Sequence, residues 1–164
     1  MIIKASKEGA FELAPEGQYD VVCVDVTEPK TYKTQYGDKE KFFFVFELSA
    51  DAGLRKDGGR FAVWSRPFVP SLYDRASLRK FLKQWRGFDL TAVEMSAGFD
   101  VESMLGVSAS VIIRHEKFVG KDGQEKTFAN IDYICKSKVQ VEPSGEFVRM
   151  KDRPSKDEGG NEPF

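Results

Sequence analysis

The sequence predicts a mainly β domain: five short strands, a helix between the third and the fourth, and a polar tail behind the last. Three observations carry that prediction. The stretches 18–26, 41–48, 60–68, 107–118 and 126–135 alternate apolar and polar residues at the two-residue period of a strand. The stretch 71–87 repeats its apolar residues at helical spacing instead. From about Ser137 the apolar periodicity fades, and the chain ends Lys-Asp-Glu-Gly-Gly-Asn-Glu-Pro-Phe, a composition suited to a disordered segment. The expected organisation is one folded domain over 1–136 and a flexible acidic C-terminal tail over 137–164. Strands and helix in this order match the OB-fold, a small Greek-key barrel. An SH3-like barrel fits the strand count but has no place there for a helix of this length.

Residues 1–16 end in Ala-Pro-Glu-Gly and read as a lead-in loop. In 18–26, Val22, Val24 and Val26 are expected on one face and Tyr19, Val21 and Cys23 on the other. The polar stretch 28–41 has Pro29 near its start and Gly37-Asp38 in its second half, so it reads as a long loop or a flexible hairpin tip. The run 41–48, Lys-Phe-Phe-Phe-Val-Phe-Glu-Leu, is the centre of the chain. Its Phe42, Phe44, Phe46 and Leu48 form a continuous apolar ridge. Its Lys41, Phe43, Val45 and Glu47 form a face expected to be only partly covered. In 60–68, Phe61 and Val63 take one face, Arg60, Trp64 and Arg66 the other, and Pro67 and Pro70 end the strand.

In the helix, Leu78, Phe81, Leu82 and Trp85 make the buried stripe, Asp74 is placed to cap the start, and Gly87 to stop it in the left-handed region. The stretch 88–98 reads as irregular or as a helical turn, and 100–105 as a short capped helix closed by Gly106. Val107, Ala109, Val111 and Ile113 are expected inward on the fourth strand. Gly120-Lys-Asp-Gly123 turns the chain, and Ala129, Ile131 and Tyr133 are expected together on one face of the fifth. No internal repeat is present.

At 164 residues and 41% hydrophobic, the chain is long enough for one domain with a real core. Its formal net charge of -1 advertises no overall attraction to nucleic acid, so any such role must come from local clustering. No stretch near the N-terminus resembles a signal peptide and none reaches transmembrane length, so a cytoplasmic protein without membrane contact is expected. Cys23 and Cys135 match no metal spacing and are expected reduced. His115 is the single histidine, which removes a histidine metal cluster or a histidine-based triad. No Gly-rich phosphate loop is present, and Asp20, Asp25 and Asp132 cannot be paired from sequence, so no enzyme, cofactor or metal is expected.

OB-folds bind ligands across the outer face of strands two and three, between two flanking loops. Mapped here, that face offers Phe43, Arg60, Trp64 and Arg66. The first loop adds Lys30, Tyr32, Lys33, Tyr36, Lys39 and Lys41, and the last hairpin adds Lys117, Phe118, Lys121, Lys126 and Phe128. Aromatic rings among cations suit single-stranded nucleic acid, because bases stack on the rings while lysine and arginine neutralise phosphates. Glu28, Asp38 and Glu40 lower the net charge of the first loop. The other reading of Trp64 is a core or oligomer-interface residue. The helix carries a second basic row, Arg75, Arg79 and Lys83 at steps of four with Lys80 and Arg86, which ranks below the loop.

The motifs Ser77-Leu-Arg-Lys-Phe-Leu-Lys-Gln-Trp-Arg-Gly87, Phe99-Asp-Val-Glu-Ser-Met-Leu-Gly106 and Phe128-Ala-Asn-Ile131, with Gly17-Gln-Tyr19, resemble a family of phage and prophage proteins described as single-strand-DNA-binding-like. The resemblance implies an OB-fold and a role in phage DNA replication or recombination in the cytoplasm of a bacterial host. Asp157-Glu-Gly-Gly-Asn-Glu-Pro-Phe164 is similar to the acidic tail ending in Pro-Phe of bacterial single-stranded-DNA-binding proteins. It differs in having Glu162 in place of an aliphatic residue, and Lys156 dilutes its charge. The similarity implies that Asp157, Glu158, Glu162, Pro163 and Phe164 dock replication or recombination proteins. The expected partners are single-stranded DNA and such proteins, with a homo-oligomer left open. The competing readings are a replication or recombination accessory whose barrel is mainly a protein-docking module, and a single-stranded RNA binder.

Overall fold

The phenylalanine run becomes the strand from which the rest of the sheet is built. In the computed structural model, which describes residues 12–154, β4 spans Phe44–Leu48 with every residue buried. Phe42, Phe44, Phe46 and Leu48 all enter the core, as their alternation predicts. Phe44 stacks on Phe81 at 5.7 Å and meets Trp85 edge-on at 5.4 Å. Each such buried ring contributes about 1.5–3 kcal/mol of burial, and edge and offset contacts add to that.

β4 pairs antiparallel with β1 (Gly17–Val26) on one side and with the short β5 (Ala62–Trp64) on the other. β1 pairs in turn with β6 (Ser108–Val119), and β6 with β7 (Glu125–Lys136). The result is a five-stranded antiparallel sheet in the order β5-β4-β1-β6-β7, whose outermost members β5 and β7 come into contact with each other. The stretch 28–41 is a regular hairpin, β2 (Lys30–Thr34) and β3 (Gly37–Lys41), which forms a separate two-stranded sheet. Among the described residues, no helix is long and apolar enough to cross a membrane.

Helix α1 (Ser77–Arg86) lies between β5 and β6 in the chain and buries Leu78, Leu82 and Trp85 against the core, with Phe81 half-buried. The Trp85 indole donates to the Ser108 carbonyl at 3.0 Å. Gly87 ends the helix at φ 84°, a conformation costly for any residue with a Cβ. Asp74 does not cap the helix. Its carboxylate accepts from Arg79 instead, and Ala76 holds the cap position without a side-chain bond. The stretch 88–98 contains a second helix, α2 (Ala92–Ala97), started by a reciprocal capping box between Thr91 and Glu94.

Other expectations change as well: Val107, expected inward, is exposed, while Ala109, Val111 and Ile113 enter the core. The third strand is only Ala62–Trp64, because Ser65 turns its hydroxyl onto the Phe44 amide and Pro67 has no N–H to donate. A bulge after Cys23 places Asp25 opposite Val45, so Val26 faces the core with Val21 and Cys23. A second bulge leaves Asp132 unpaired between Ile131 and Tyr133, which flips the parity of β7. Ile131 and Ile134 are therefore buried while Tyr133 turns out, 47% exposed.

The largest change is at the C-terminal side. Residues 137–154, expected as flexible tail, lie as a strap across the outer face of the sheet. Ser108 and Val141 exchange hydrogen bonds, with Val141 buried. Ser144 donates its amide and its hydroxyl to Glu47, each at 2.7 Å. Arg149 reaches Asp25 at 3.0 Å, and the Met150 amide reaches the same carboxylate at 2.8 Å. Glu47 and Asp25, 4% and 1% exposed, require such partners. This strap also covers the face of β4 expected to be half open.

Candidate nucleic-acid interface

Where the strap ends, β2, β3 and β5 border a cleft of about 130 Å³, lined by Thr27, Glu28, Lys30, Tyr32, Lys41, Phe43, Trp64, Met150 and Lys151. Small-molecule sites run to roughly 300–1,000 Å³, so this is a shelf for part of a ligand, not an enclosed cofactor cavity. Five residues singled out from sequence (Lys30, Tyr32, Lys41, Phe43 and Trp64) meet here from separate segments.

The hairpin register sorts the charges. Lys30 faces Lys41 and Tyr32 faces Lys39, while Thr31 faces Glu40 and Lys33 faces Asp38. Residues directly opposite share a face, and alternate residues switch faces. One face therefore holds Lys30, Lys39, Lys41 and Tyr32 without an acid, and it is the face bordering the cleft. The other holds Lys33 with Asp38 and Glu40. Lys30 stands directly across from Lys41, so the register gathers cations on this face.

The expected base-stacking role of Phe43 does not survive. It is 3% exposed and meets the Trp64 ring edge-on at 5.1 Å, so it props Trp64 and offers no face of its own. Trp64, half-buried, is the ring with an accessible side. Arg60 is likewise committed: it donates to the Glu142 carbonyl at 2.6 Å and lies 3.6 Å from Glu47, so it holds the strap. Arg66 bonds Glu116 at 3.0 Å, tying the region after β5 to the β6–β7 arm. Lys33 points away from the cleft, and Tyr36 stands on the hairpin turn, 80% exposed.

On the β6–β7 arm, Phe118 is 60% exposed and faces Lys126, and Phe128 faces Glu116. Lys117 lies 3.8 Å from Glu125, and Lys121 is exposed at the turn. None of these five residues lines the cleft. The carboxylates left unpaired by the sequence have partners: Asp20 accepts from Ser137, Asp25 from Arg149, and Asp132 from Arg114. On α1, Arg79 bonds Asp74 and Asp89, and Arg86 bonds Glu94, so only Arg75, Lys80 and Lys83 of that basic row stay exposed. Asp157, Glu158, Glu162, Pro163 and Phe164 lie outside the described residues.

Besides Thr27, the cleft residues that sequence reasoning missed are Met150 and Lys151. The signal for them was indirect: two carboxylates on apolar strands, Asp25 and Glu47, that had to be met by something. Burial works against the Arg149 charge, but its hydrogen bonds to Asp25 and Glu102 outweigh that and hold the guanidinium above its usual value. Burial raises the Cys23 thiol far above the usual range, so it is an inert core group. Compared with known proteins, the chain matches no family model and no curated protein.

Proposed function

We propose that the protein binds single-stranded DNA without sequence preference, with Trp64 and Tyr32 as stacking surfaces and Lys30, Lys39 and Lys41 as phosphate contacts. The observation that carries this reading is the acid-free lysine face of the β2–β3 hairpin, set beside an aromatic cleft. Stacking is indifferent to base identity and phosphates are common to all sequences, so this chemistry selects strandedness over sequence. The architecture is read as an OB-fold. The order β5-β4-β1-β6-β7, with its end strands in contact and the helices between β5 and β6, supports it.

On this reading the protein acts without catalysis in phage DNA replication or recombination, in the host cytoplasm, and its last residues dock partner proteins. A second reading, a protein-docking module, draws on one observation. Tyr73, Phe88, Val93 and Met95 around the helices are all more than half exposed. Titration of fluorescent oligo-dT and oligo-U across a salt series decides between them. Single-strand binding gives a linear fall in log affinity with log salt, steeper as more phosphates are contacted. Absence of binding at low salt removes the reading and leaves the docking module, and stronger binding of oligo-U moves it to RNA.

A further inference from the structure

We infer that the strap is a wall of the binding cleft itself, with Lys151 a direct phosphate contact and Arg149 the positioning residue that fixes it there; this deepens the single-strand reading and rests on it. Met150 and Lys151 line the same cleft as Lys41 and Trp64, although they lie more than eighty residues beyond Trp64 in the chain. The residue before them is held from three sides. Arg149 bonds the buried Asp25 carboxylate at 3.0 Å, the Val26 carbonyl at 3.2 Å and both Glu102 oxygens at 3.0 and 2.9 Å. The Met150 amide is fixed on Asp25, and a single 3-10 turn, Met150–Asp152, closes with the Arg153 amide on the Met150 carbonyl.

Lys151 is thus carried on backbone that is already ordered. A lysine on a loose segment would have to lose that freedom at the moment of binding, which weakens its contribution. Together with Lys30 and Lys41 it puts three cations beside the carboxylate of Glu28 among the described residues of the cleft. A strand whose base lies against Trp64 then meets cations from two separate segments, the hairpin and the strap.

The test uses the full chain and four variants: Lys151→Gln, Lys138→Gln, Arg149→Gln and Glu102→Gln. Lys138 is an exposed lysine of the same strap outside the cleft and serves as the control. Oligo-dT affinity is read across salt. Independently, in protein without DNA, tryptophan quenching by iodide is compared with quenching by neutral acrylamide. Trp85 is buried, so the quenchable signal belongs to Trp64. Lys151→Gln is expected to weaken oligo-dT about two- to fivefold at low salt, to lower the salt slope by about 0.7, and to reduce iodide quenching while acrylamide quenching holds. Lys138→Gln leaves all of these at wild-type values. Arg149→Gln reproduces the Lys151 pattern, and Glu102→Gln does so in weaker form should Arg149→Gln fail to fold. Wild-type protein that binds no oligo-dT overturns the single-strand reading and the phosphate role of Lys151 with it. Wild-type protein that binds, beside a Lys151→Gln variant with unchanged slope and unchanged iodide quenching, overturns this inference alone.

Discussion

The two hairpins that leave the sheet look alike in sequence and differ in space. The β2–β3 hairpin and the β6–β7 arm each carry several lysines, two aromatic residues and a few acids. In β2–β3 the acids pair across from Lys33 and Thr31, so the face toward the cleft keeps lysines and a tyrosine and no acid of the hairpin. In the arm, Arg114 bonds Asp132, Lys117 approaches Glu125, and Glu116 is drawn to Arg66. Its charges are spread over exposed pairs, each contributing little. A stretch of sequence with slight net charge can therefore present a strongly basic face, because strand register and not composition decides which charges are neighbours.

The largest expected effect that tests this contrast comes from Lys30→Gln, Lys39→Gln and Lys41→Gln together. Oligonucleotide binding should fall steeply, and its salt slope should flatten by about 0.7 for each phosphate no longer neutralised. An unchanged slope would move the site off the hairpin, first to the exposed Arg75, just before α1, and Lys80 and Lys83 on it. Next in size is Trp64→Ala, which should cost about 1–3 kcal/mol of binding. Tryptophan fluorescence of the wild type should quench as oligo-dT is added, with circular dichroism of the variant unchanged. If the variant unfolds, or stays folded and binds normally, Trp64 is a packing residue and the cleft has no stacking surface there.

A smaller effect is expected on the arm. Neutralising Lys117, Lys121 and Lys126 together should weaken binding less than the hairpin triple and take less from the slope, as measured in the same titration. An equal or greater effect would make the arm the main binding surface and reverse the comparison. The smallest effect belongs to the far face of the first hairpin. Asp38→Asn with Glu40→Gln should leave affinity within about twofold, since these acids point away from the cleft and only long-range screened repulsion is removed. A large rise in affinity would mean that the charges are not sorted by face.

Much of the fold is legible where apolar period decides it. The inner ridge of β4, the stripe of α1 and the stop at Gly87 follow from spacing alone. The bulges at Val24 and Asp132 do not, because one extra residue in a strand leaves no compositional trace while reversing every side chain beyond it. The strap is hidden for a different reason. It is held by Ser144 and Arg149 on two carboxylates of distant strands, so it has no period to read. Of the site, the residue types were legible, and their sorting was not. Phe43, Arg60 and Arg66 have the right chemistry, but each is already engaged within the fold.

The anchors of the strap join residues far apart in the chain: Glu47 and Ser144 are separated by 97 positions, Asp25 and Arg149 by 124. Contacts of such separation form late, after the local hairpins and helix. During synthesis Glu47 has only Arg60 beside it until Ser144 is made, and Asp25 waits for Arg149, so the nascent sheet passes through a state with its outer surface unroofed. The cleft gains its last wall only when the strap docks. A chain cut short before the strap would keep its aromatic core yet leave Asp25 without Arg149 and Glu47 with Arg60 alone, and proteolysis of such fragments would report how far the sheet depends on its final segment.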